Sequence, residues 1–372
     1  MPQRLNARRG KQPGRKADEA WMTRAFHLAE CSSLYRTAPN PRVACILVKH
    51  NRVVAQAVHE RFGGLHAEAL ALAKAKTAAR GATAYITLEP CCHTDKKTPP
   101  CVQALKHAGI RRVVVACRDE NPRVLGRGIR ELKKAGIRVT QNVLQERARN
   151  LYRFFFHWIK TARPFVTLKM AISIDGKITS SRRWLSNPTA LEDVQRIRAQ
   201  HDAILVGQNT IRTDDPRLTV RKYGKDTSSQ PLRVILDSKL ALNPHFRVFH
   251  NGPVLVACTN AASKKRKEAF MNAGIARWIS PISEKGRVPF HELFAELGRR
   301  GIRSVLVEGG ASVATNLLEE KRVNEAYFNV TPGLSGPRAV SLYTGRPMHL
   351  RNAQVTVLGD NAVFHVRFRR PR

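Results

Sequence analysis

Two short segments decide how this chain reads: His66-Ala67-Glu68, and Glu89-Pro90-Cys91-Cys92-His93 running on to Thr98-Pro99-Pro100-Cys101. They set one imidazole and two thiols at two predicted helix starts, with a carboxylate close to the imidazole. The run from Ala69 to Ala79 consists almost wholly of good helix formers. Residues two apart do not share a face inside a helix. At a first turn, however, His66 and Glu68 can both reach forward to a site beyond the helix end. A strand from Thr83 to Leu88 then carries the chain to Cys91. Pro99 and Pro100 suit the opening of a second helix, Val102 to Ala108. Cys91 and Cys101 would thus lie near positive helix ends, which favour the thiolate that a metal needs.

Three such ligands leave a tetrahedral zinc one open position for water, and zinc makes that water a usable nucleophile near neutral pH. Glu68 is not needed as a ligand and is placed to move protons. His-x-Glu, then Pro-Cys, then a later Cys is the zinc-deaminase pattern. Two other readings stand beside it: a closed structural site that also draws on Cys92, His93 or His107, and buried cysteines with no metal. A structural knot has no use for a carboxylate beside its histidine, which favours the open site.

Nucleic-acid deaminases usually space their cysteines as Pro-Cys-x-x-Cys, whereas here Thr94 to Pro100 fills out the interval. With this longer interval the segment resembles the deaminase half of a family of bifunctional riboflavin-biosynthesis enzymes, the diaminohydroxyphosphoribosylaminopyrimidine deaminase/5-amino-6-(5-phosphoribosylamino)uracil reductases. Asn40-Pro41-Arg42-Val43, Asp119-Glu120-Asn121-Pro122 and Gly126-Arg127-Gly128 extend the likeness. It implies a cytidine-deaminase-like α/β/α domain over residues 17–146. That domain would hydrolytically deaminate 2,5-diamino-6-(5-phosphoribosylamino)pyrimidin-4-one, with one Zn2+ on His66, Cys91 and Cys101 and with Glu68 catalytic. It also implies substrate contacts at Asn40, His59, Lys97 and Asn121: an amide can read a pyrimidine edge, and a lysine can hold a phosphate. Ala44 stands where the family usually has glycine.

The 372 residues are enough for two domains with separate cores, and 42% hydrophobic with 25% charged residues is ordinary for a soluble globular protein. No apolar run approaches the roughly 20 residues that span a bilayer, and the N-terminus lacks the apolar stretch of a signal peptide. Seven irregularly spaced cysteines, three of them in a metal motif, point to a reducing cytoplasm. A net charge of +37 suggests polyanions. Yet the basic residues are spread over both halves, and Arg111-Arg112, Lys133-Lys134 and Lys264-Lys265-Arg266-Lys267 fall where solvated faces or turns are expected. We therefore expect a small phosphorylated pyrimidine as partner, no membrane, no specific nucleic acid, and a homo-oligomer. A zinc-stabilised nucleic-acid-binding protein is a reading that rests on the charge alone.

Residues 1–16 read as a disordered basic arm, and Asp18 as the N-cap of a helix through Trp21, Ala25, Leu28 and Ala29. Strands follow at Val43–Val48 and Val53–Val58 around a tight turn at His50-Asn51, then at Val113–Cys117 and Ile137–Thr140, with a helix from Ile129 to Ala135. Strands alternating with helices make an α/β layer structure with an at least partly parallel sheet. Residues 147–163 form a linking helix whose Leu151, Phe154, Phe155, Trp158 and Ile159 recur at helical spacing, a packing stripe ended by Arg163-Pro164.

Residues 164–372 form the second domain. The strand Phe165 to Ala171 leads to Asp175-Gly176-Lys177, and Ser304 to Val307 runs into Glu308-Gly309-Gly310 and a helix to Leu318. A strand, glycine turn and helix start can seat a phosphate on free N–H groups. It lacks the G-x-G-x-x-G fingerprint, so alone it reads as an ordinary turn. With its neighbours it resembles the reductase half of the same family, which implies a dihydrofolate-reductase-like α/β domain using NADPH to reduce the ribosyl group to ribityl. The resemblance places Lys169 and Glu308 at the reacting carbons and Arg198, Leu218 and Arg221 on the substrate. It places Ala171, Trp184, Thr210, Asp214, Ser238 and the turn Gly310, Ala311, Ser312, Val313, Ala314, Thr315, Asn316 on NADPH. The loop before Trp184 is shorter than in the family, and Arg182 stands where a substrate-binding serine is expected. A guanidinium can hold a phosphate with two parallel hydrogen bonds, so Arg182 is expected to compensate. The alternative is a deaminase with a degenerate, non-catalytic reductase domain.

Overall fold

A computed structural model describes residues 14–94, 99–179, 186–221, 230–281, 284 and 286–368. The chain forms two compact units that divide between Phe156 and His157.

The first unit contains α1 (Arg15–Cys31), the short α2 (Leu34–Thr37), β1 (Ala44–Lys49), β2 (Arg52–Val58), α3 (Ala67–Ala75), β3 (Thr83–Ile86), α4 (Cys101–His107), β4 (Arg112–Val115), α5 (Arg127–Lys134) and β5 (Arg138–Thr140), and α6 (Gln145–Thr161) begins in it. The sheet order is β2-β1-β3-β4-β5. β1 runs antiparallel to β2 and β3, whereas β3, β4 and β5 are parallel. His50 and Asn51 both have positive φ, 49° and 56°. That is the two-residue hairpin turn whose twist matches the strands. Small side chains let α3 lie close on the sheet: Ala67, Ala71 and Ala75 pack in one core with Val102 and Leu105 of α4, Leu132 of α5 and Ile86 of β3. On α6, the buried Tyr152 hydroxyl lies 2.7 Å from Thr87 Oγ1.

The N-terminal expectation needs correcting. α1 begins at Arg15 with Gly14 as its N-cap, so the expected arm of residues 1–16 overlaps the helix; residues 1–13 lie outside the described residues. Asp18 does not cap the helix. It is buried inside it and takes hydrogen bonds from Arg112 and the Tyr85 hydroxyl. Arg112 is accordingly no solvated side chain but 5% exposed.

The second unit takes in the end of α6, then β6 (Phe165–Ser173), α7 (Pro188–Arg198), β7 (Ala203–Gly207), α8 (Gln208–Asp214), β8 (Leu232–Leu236), β9 (Val254–Cys258), α9 (Lys264–Asn272), β10 (Arg277–Ile279), α10 (Phe290–Arg299), β11 (Ser304–Glu308), α11 (Ala311–Glu319), β12 (Glu325–Thr331), β13 (Gln354–Leu358) and β14 (Asn361–Arg367). The sheet order is β10-β9-β8-β7-β11-β6-β12-β14-β13. It is parallel from β10 to β12, and β14 is antiparallel to both of its neighbours. Side chains alternate faces along a strand. On β6, Val166, Leu168 and Met170 enter a core with Phe290, Leu293 and Leu297 of α10 and Leu317 of α11, leaving Thr167, Lys169 and Ala171 for the opposite face. That face is closed by Ile197 of α7, Ile211 of α8 and Phe270 of α9. α10 comes near enough to the chain after α6 that a Cβ on Gly298 would lie 1.9 Å from Ala162 O.

Candidate active sites

In the first unit His66 is the residue before α3, Cys91 follows β3, and Cys101 opens α4. His66 Nδ1 lies 3.5 Å from Cys91 Sγ and 3.3 Å from Cys101 Sγ. The backbone N–H of Cys101 points at Cys91 Sγ across 3.4 Å, so the start of α4 does face the first thiol. Zinc bonds of about 2.0–2.1 Å to nitrogen and about 2.3 Å to sulfur, at a tetrahedral angle, hold N and S about 3.6 Å apart. The three donors therefore fit zinc. They make up the metal-capable cluster found among the described residues; Cys92, His93 and His107 take no part in it, which disfavours the closed site. Glu68 stands in the first turn of α3, 3% exposed.

His59 is buried, at 2% exposure. Its Nδ1 lies 3.0 Å from Leu65 O, which can only accept, so Nδ1 carries the proton and Nε2 accepts from Asn40 Nδ2 at 3.2 Å. The ring orients Asn40. Asn121 closes a turn, its side-chain oxygen accepting from Arg123 N–H at 3.0 Å. Lys97 lies outside the described residues. The sequence reading missed Glu89. Its carboxylate accepts from three backbone N–H groups, of Asp119 (3.2 Å), Gly126 (2.9 Å) and Ile129 (3.1 Å), and so ties the segment before Cys91 to the loop bearing Asn121. Burial pushes the Asp119 carboxyl up to about 7, against the Asn121 N–H bond that lowers it and with the Glu89 charge that adds to the rise. A carboxylate set in an otherwise apolar strand end was the available signal for Glu89.

In the second unit a cavity of about 2500 Å³ opens at the carboxyl ends of the parallel strands, the usual place for ligands in such sheets. Lys169 and Glu308 are register partners on β6 and β11. Arg198, at the end of α7, grips Glu308 with two bonds of 2.6 Å. Its Nη1 also donates to Thr219 O at 3.3 Å. Burial alone would raise the Glu308 carboxyl, but the charge and hydrogen bonds of Arg198, then Lys169 and His201, bring it below the usual range. Burial lowers the Lys169 ammonium, with Glu308 opposing the fall. Arg198, expected on the substrate, lines the cavity while also holding Glu308.

Leu218, Arg221, Ala171, Thr210, Asp214, Ser238, Gly310, Ala311, Ser312, Val313, Thr315 and Asn316 all line this cavity, whereas Ala314 is buried in the core. Arg182 and Trp184 lie outside the described residues. Leu218 has φ 50°, a strained value for a branched residue. Gly309 and Gly310 have φ 97° and 79°, and a Cβ on Gly309 would lie 3.0 Å from Thr210 Oγ1. Only glycine lets this turn open the start of α11 toward the cavity, a cradle that fits the phosphates of a dinucleotide. Sequence reasoning also missed two polar residues of this wall: Gln195, which accepts from Arg221 N–H at 2.9 Å, and Ser186.

Residues 15–117 match the family described as cytidine and deoxycytidylate deaminase zinc-binding region, and residues 164–364 match the RibD C-terminal domain. The riboflavin biosynthesis protein RibD of Bacillus amyloliquefaciens is 37% identical over 357 residues, covering 92% of this chain and 94% of its own. The chain belongs to the RibD family. Its relative of that name in Escherichia coli is likewise 37% identical, over 88% of this chain and 91% of its own. Among solved structures, Acinetobacter baumannii RibD superposes with a TM-score of 0.83 at 34% identity, covering 95% of this chain and 99% of that one. The Thermotoga maritima diaminohydroxyphosphoribosylaminopyrimidine deaminase/5-amino-6-(5-phosphoribosylamino)uracil reductase gives 0.81 at 33%, with the same coverage. The RibD fold is a cytidine-deaminase-like domain followed by a reductase domain, in the order that the sequence implied.

Proposed function

We propose that this chain carries both activities of its family in riboflavin biosynthesis. The first unit would deaminate 2,5-diamino-6-(5-phosphoribosylamino)pyrimidin-4-one, and the second would reduce the ribosyl group of the product to ribityl. The observation that carries the reading is the pairing, in one chain, of the His66–Cys91–Cys101 cluster with the Lys169–Glu308–Arg198 group in the cavity of the second unit.

In the first unit one zinc on His66, Cys91 and Cys101 supplies the Lewis acidity that makes water a nucleophile near neutral pH. Glu68 takes the proton from the attacking water and returns it to the leaving amine. Asn40, held by His59, reads the pyrimidine edge, with Asn121 at the other loop; Lys97 serves the phosphate. In the second unit NADPH supplies the hydride. The backbone from Gly310 to Asn316 seats its phosphates, with Ala171, Trp184, Thr210, Asp214 and Ser238 along its length. Lys169, made more acidic by burial, gives the balancing proton to the opened sugar, and Glu308 fixes it in place. Arg198 and Arg221, with Arg182, take the substrate phosphate, Arg198 holding Glu308 at the same time, and Leu218 packs on the substrate.

The test supplies the aminopyrimidine ribosyl phosphate with and without NADPH and follows ammonia and NADPH separately. Ammonia release in both cases, with NADPH consumed after it, is expected. Ammonia without NADPH consumption would confine the activity to the first unit.

A further inference from the structure

A chain of side-chain amides, two of them buried, runs through the second unit and ends at Ser186, on the wall of the cavity. Asn187 begins it. Its Oδ1 caps α7 by accepting Ala190 N–H at 2.8 Å, and its Nδ2 donates to Leu358 O at 2.8 Å. That orientation is fixed, because reversing the amide would turn two donors on each other at Ala190 and two acceptors on each other at Leu358. Nδ2 of Asn187 also donates to Asp360 Oδ1 at 2.5 Å and faces Asn361 Oδ1 at 3.1 Å, so its two protons are shared among three acceptors. Asn361, 1% exposed, must then present its own Nδ2 to Asn329, and it does so at 2.9 Å to Asn329 Oδ1. Asn329, 3% exposed, is left with its Nδ2 toward Ser186 Oγ, at 3.2 Å.

At Asn361 and Asn329 each step dictates the next, since a buried amide turned the wrong way loses its partner with no water to replace it. The last step sets the proton of Ser186. Its oxygen is already an acceptor for Asn329, so its O–H must donate elsewhere. Ser186 lines the cavity beside α7, and Asn329 is the register partner of Ala171 on β6. The turn between β13 and β14 is shaped for this arrangement: Gly359 has φ 64°, and a Cβ there would lie 2.8 Å from Asn187 Nδ2.

We propose that Ser186 is a binding residue of the reductase site, its hydroxyl held by the Asn187–Asn361–Asn329 chain as a hydrogen-bond donor to an acceptor oxygen of the bound ligand. This rests on the reductase reading of the cavity. The oxygen belongs either to the nicotinamide carboxamide of NADPH or to the ribosyl phosphate substrate. Either way, Ser186 supplies a neutral hydroxyl close after the shortened loop in which Arg182 has displaced a serine.

The experiment measures the Kd for NADPH by equilibrium titration without turnover, and KM for NADPH and for the deaminated ribosyl substrate separately, on the full chain, with thermal melting as the fold control. Ser186→Ala should raise one of the two KM values by about 3–10-fold, the size of one neutral hydrogen bond, and the one that moves names the ligand. Ser186→Thr keeps the hydroxyl and should stay near the unaltered protein. Asn329→Asp gives the serine proton a carboxylate to turn to, so it should reproduce the Ser186→Ala shift and add nothing in the double variant. A structural role would not make these two changes equivalent. Unchanged KM values in Ser186→Ala, or full additivity with Asn329→Asp, would overturn the proposal while leaving the reductase reading intact. If Asn329→Asp does not fold, the alanine and threonine variants decide the question. An unaltered protein that oxidises no NADPH overturns both readings.

Discussion

Arg112 and Asp18 form a two-pronged ion pair, at 2.9 and 2.6 Å, with both side chains almost wholly removed from solvent. Arg112 Nη2 also donates to Thr140 Oγ1 at 2.8 Å, and Asp18 Oδ1 accepts from the Tyr85 hydroxyl at 2.9 Å. The group ties α1 to β3, β4 and β5. A buried pair gains little over an apolar one of the same shape, but halving it leaves a charge with no partner. Asp18→Ala should therefore destabilise the first unit by about 3–5 kcal/mol. Asp18→Leu with Arg112→Met should recover much of that loss. Urea unfolding monitored through Trp21, which lies 6.5 Å from the Tyr85 ring, would read both. Equal losses for the single and double changes would refute the argument.

This pair also marks a limit of reading structure from sequence. An aspartate just ahead of an apolar helical run has the local look of an N-cap, and Arg111-Arg112 has that of a solvated turn. What contradicts both is a partner 94 residues away, which no local pattern contains. The β1–β2 hairpin was legible because His50-Asn51 carries its own turn chemistry, and the metal cluster because His66 and Cys101 sit at recognisable helix starts and Cys91 follows a recognisable strand. Ser186, Asn187, Asn329 and Asn361 were not: four polar residues from three separate segments announce nothing until the sheet brings them together. Arg198 was legible as a candidate for the second unit's cavity, which it lines, but not as the partner of Glu308, since charge alone does not say which anion a guanidinium meets.

The metal cluster predicts a separation of binding from chemistry. Purified protein should hold about one zinc per chain, the stoichiometry of a three-ligand site with one open position. Cys91→Ser, Cys101→Ser and His66→Ala should each strip it, as metal analysis would show. Glu68→Gln should retain zinc and lose ammonia release by at least about 100-fold, the usual scale of general acid–base catalysis. Zinc loss in Glu68→Gln, or undiminished ammonia release, would mean that Glu68 has been given the wrong role.

The electrostatics at Lys169 predict a pH profile. Burial lowers the ammonium and the Glu308 charge resists that fall, so reduction should fail on the alkaline side at a pH below the ordinary lysine range. The sign of a perturbation follows. Glu308→Gln removes the opposing negative charge and leaves Arg198 unneutralised beside Lys169, and both changes favour the neutral amine. The alkaline limb of the residual activity should move to lower pH. The same shift should be visible, independently of turnover, in the pH dependence of Lys169 modification by a small amine reagent. A limb that moves to higher pH would remove Lys169 as the titrating group.

The last prediction concerns Glu89 and Gly128, which join the segment before Cys91 to the turn that opens α5. The carboxylate of Glu89 fills its acceptor sites with the N–H groups of Asp119, Gly126 and Ile129. A Cβ on Gly128 would lie 2.1 Å from Pro90 O and 3.3 Å from Glu89 Oε1. The two backbones approach as closely as they do only because position 128 has no side chain. Glu89→Gln keeps the shape but turns an NH2 group toward one of three donors. It should cost roughly 1–3 kcal/mol in stability for a buried N–H left without an acceptor, and it should raise KM for deamination, because the loop bearing Asn121 loosens. Zinc should stay, since Cys91 and Cys101 are untouched. Gly128→Ala acts differently: Pro90 O belongs to the backbone and cannot swing away, so the segment carrying Cys91 must shift. That variant should lose zinc affinity along with stability, whereas Glu89→Gln loses only the second. Metal titration and urea unfolding on the two proteins would separate these outcomes, and full zinc affinity in Gly128→Ala would show that the metal ligands do not depend on this contact.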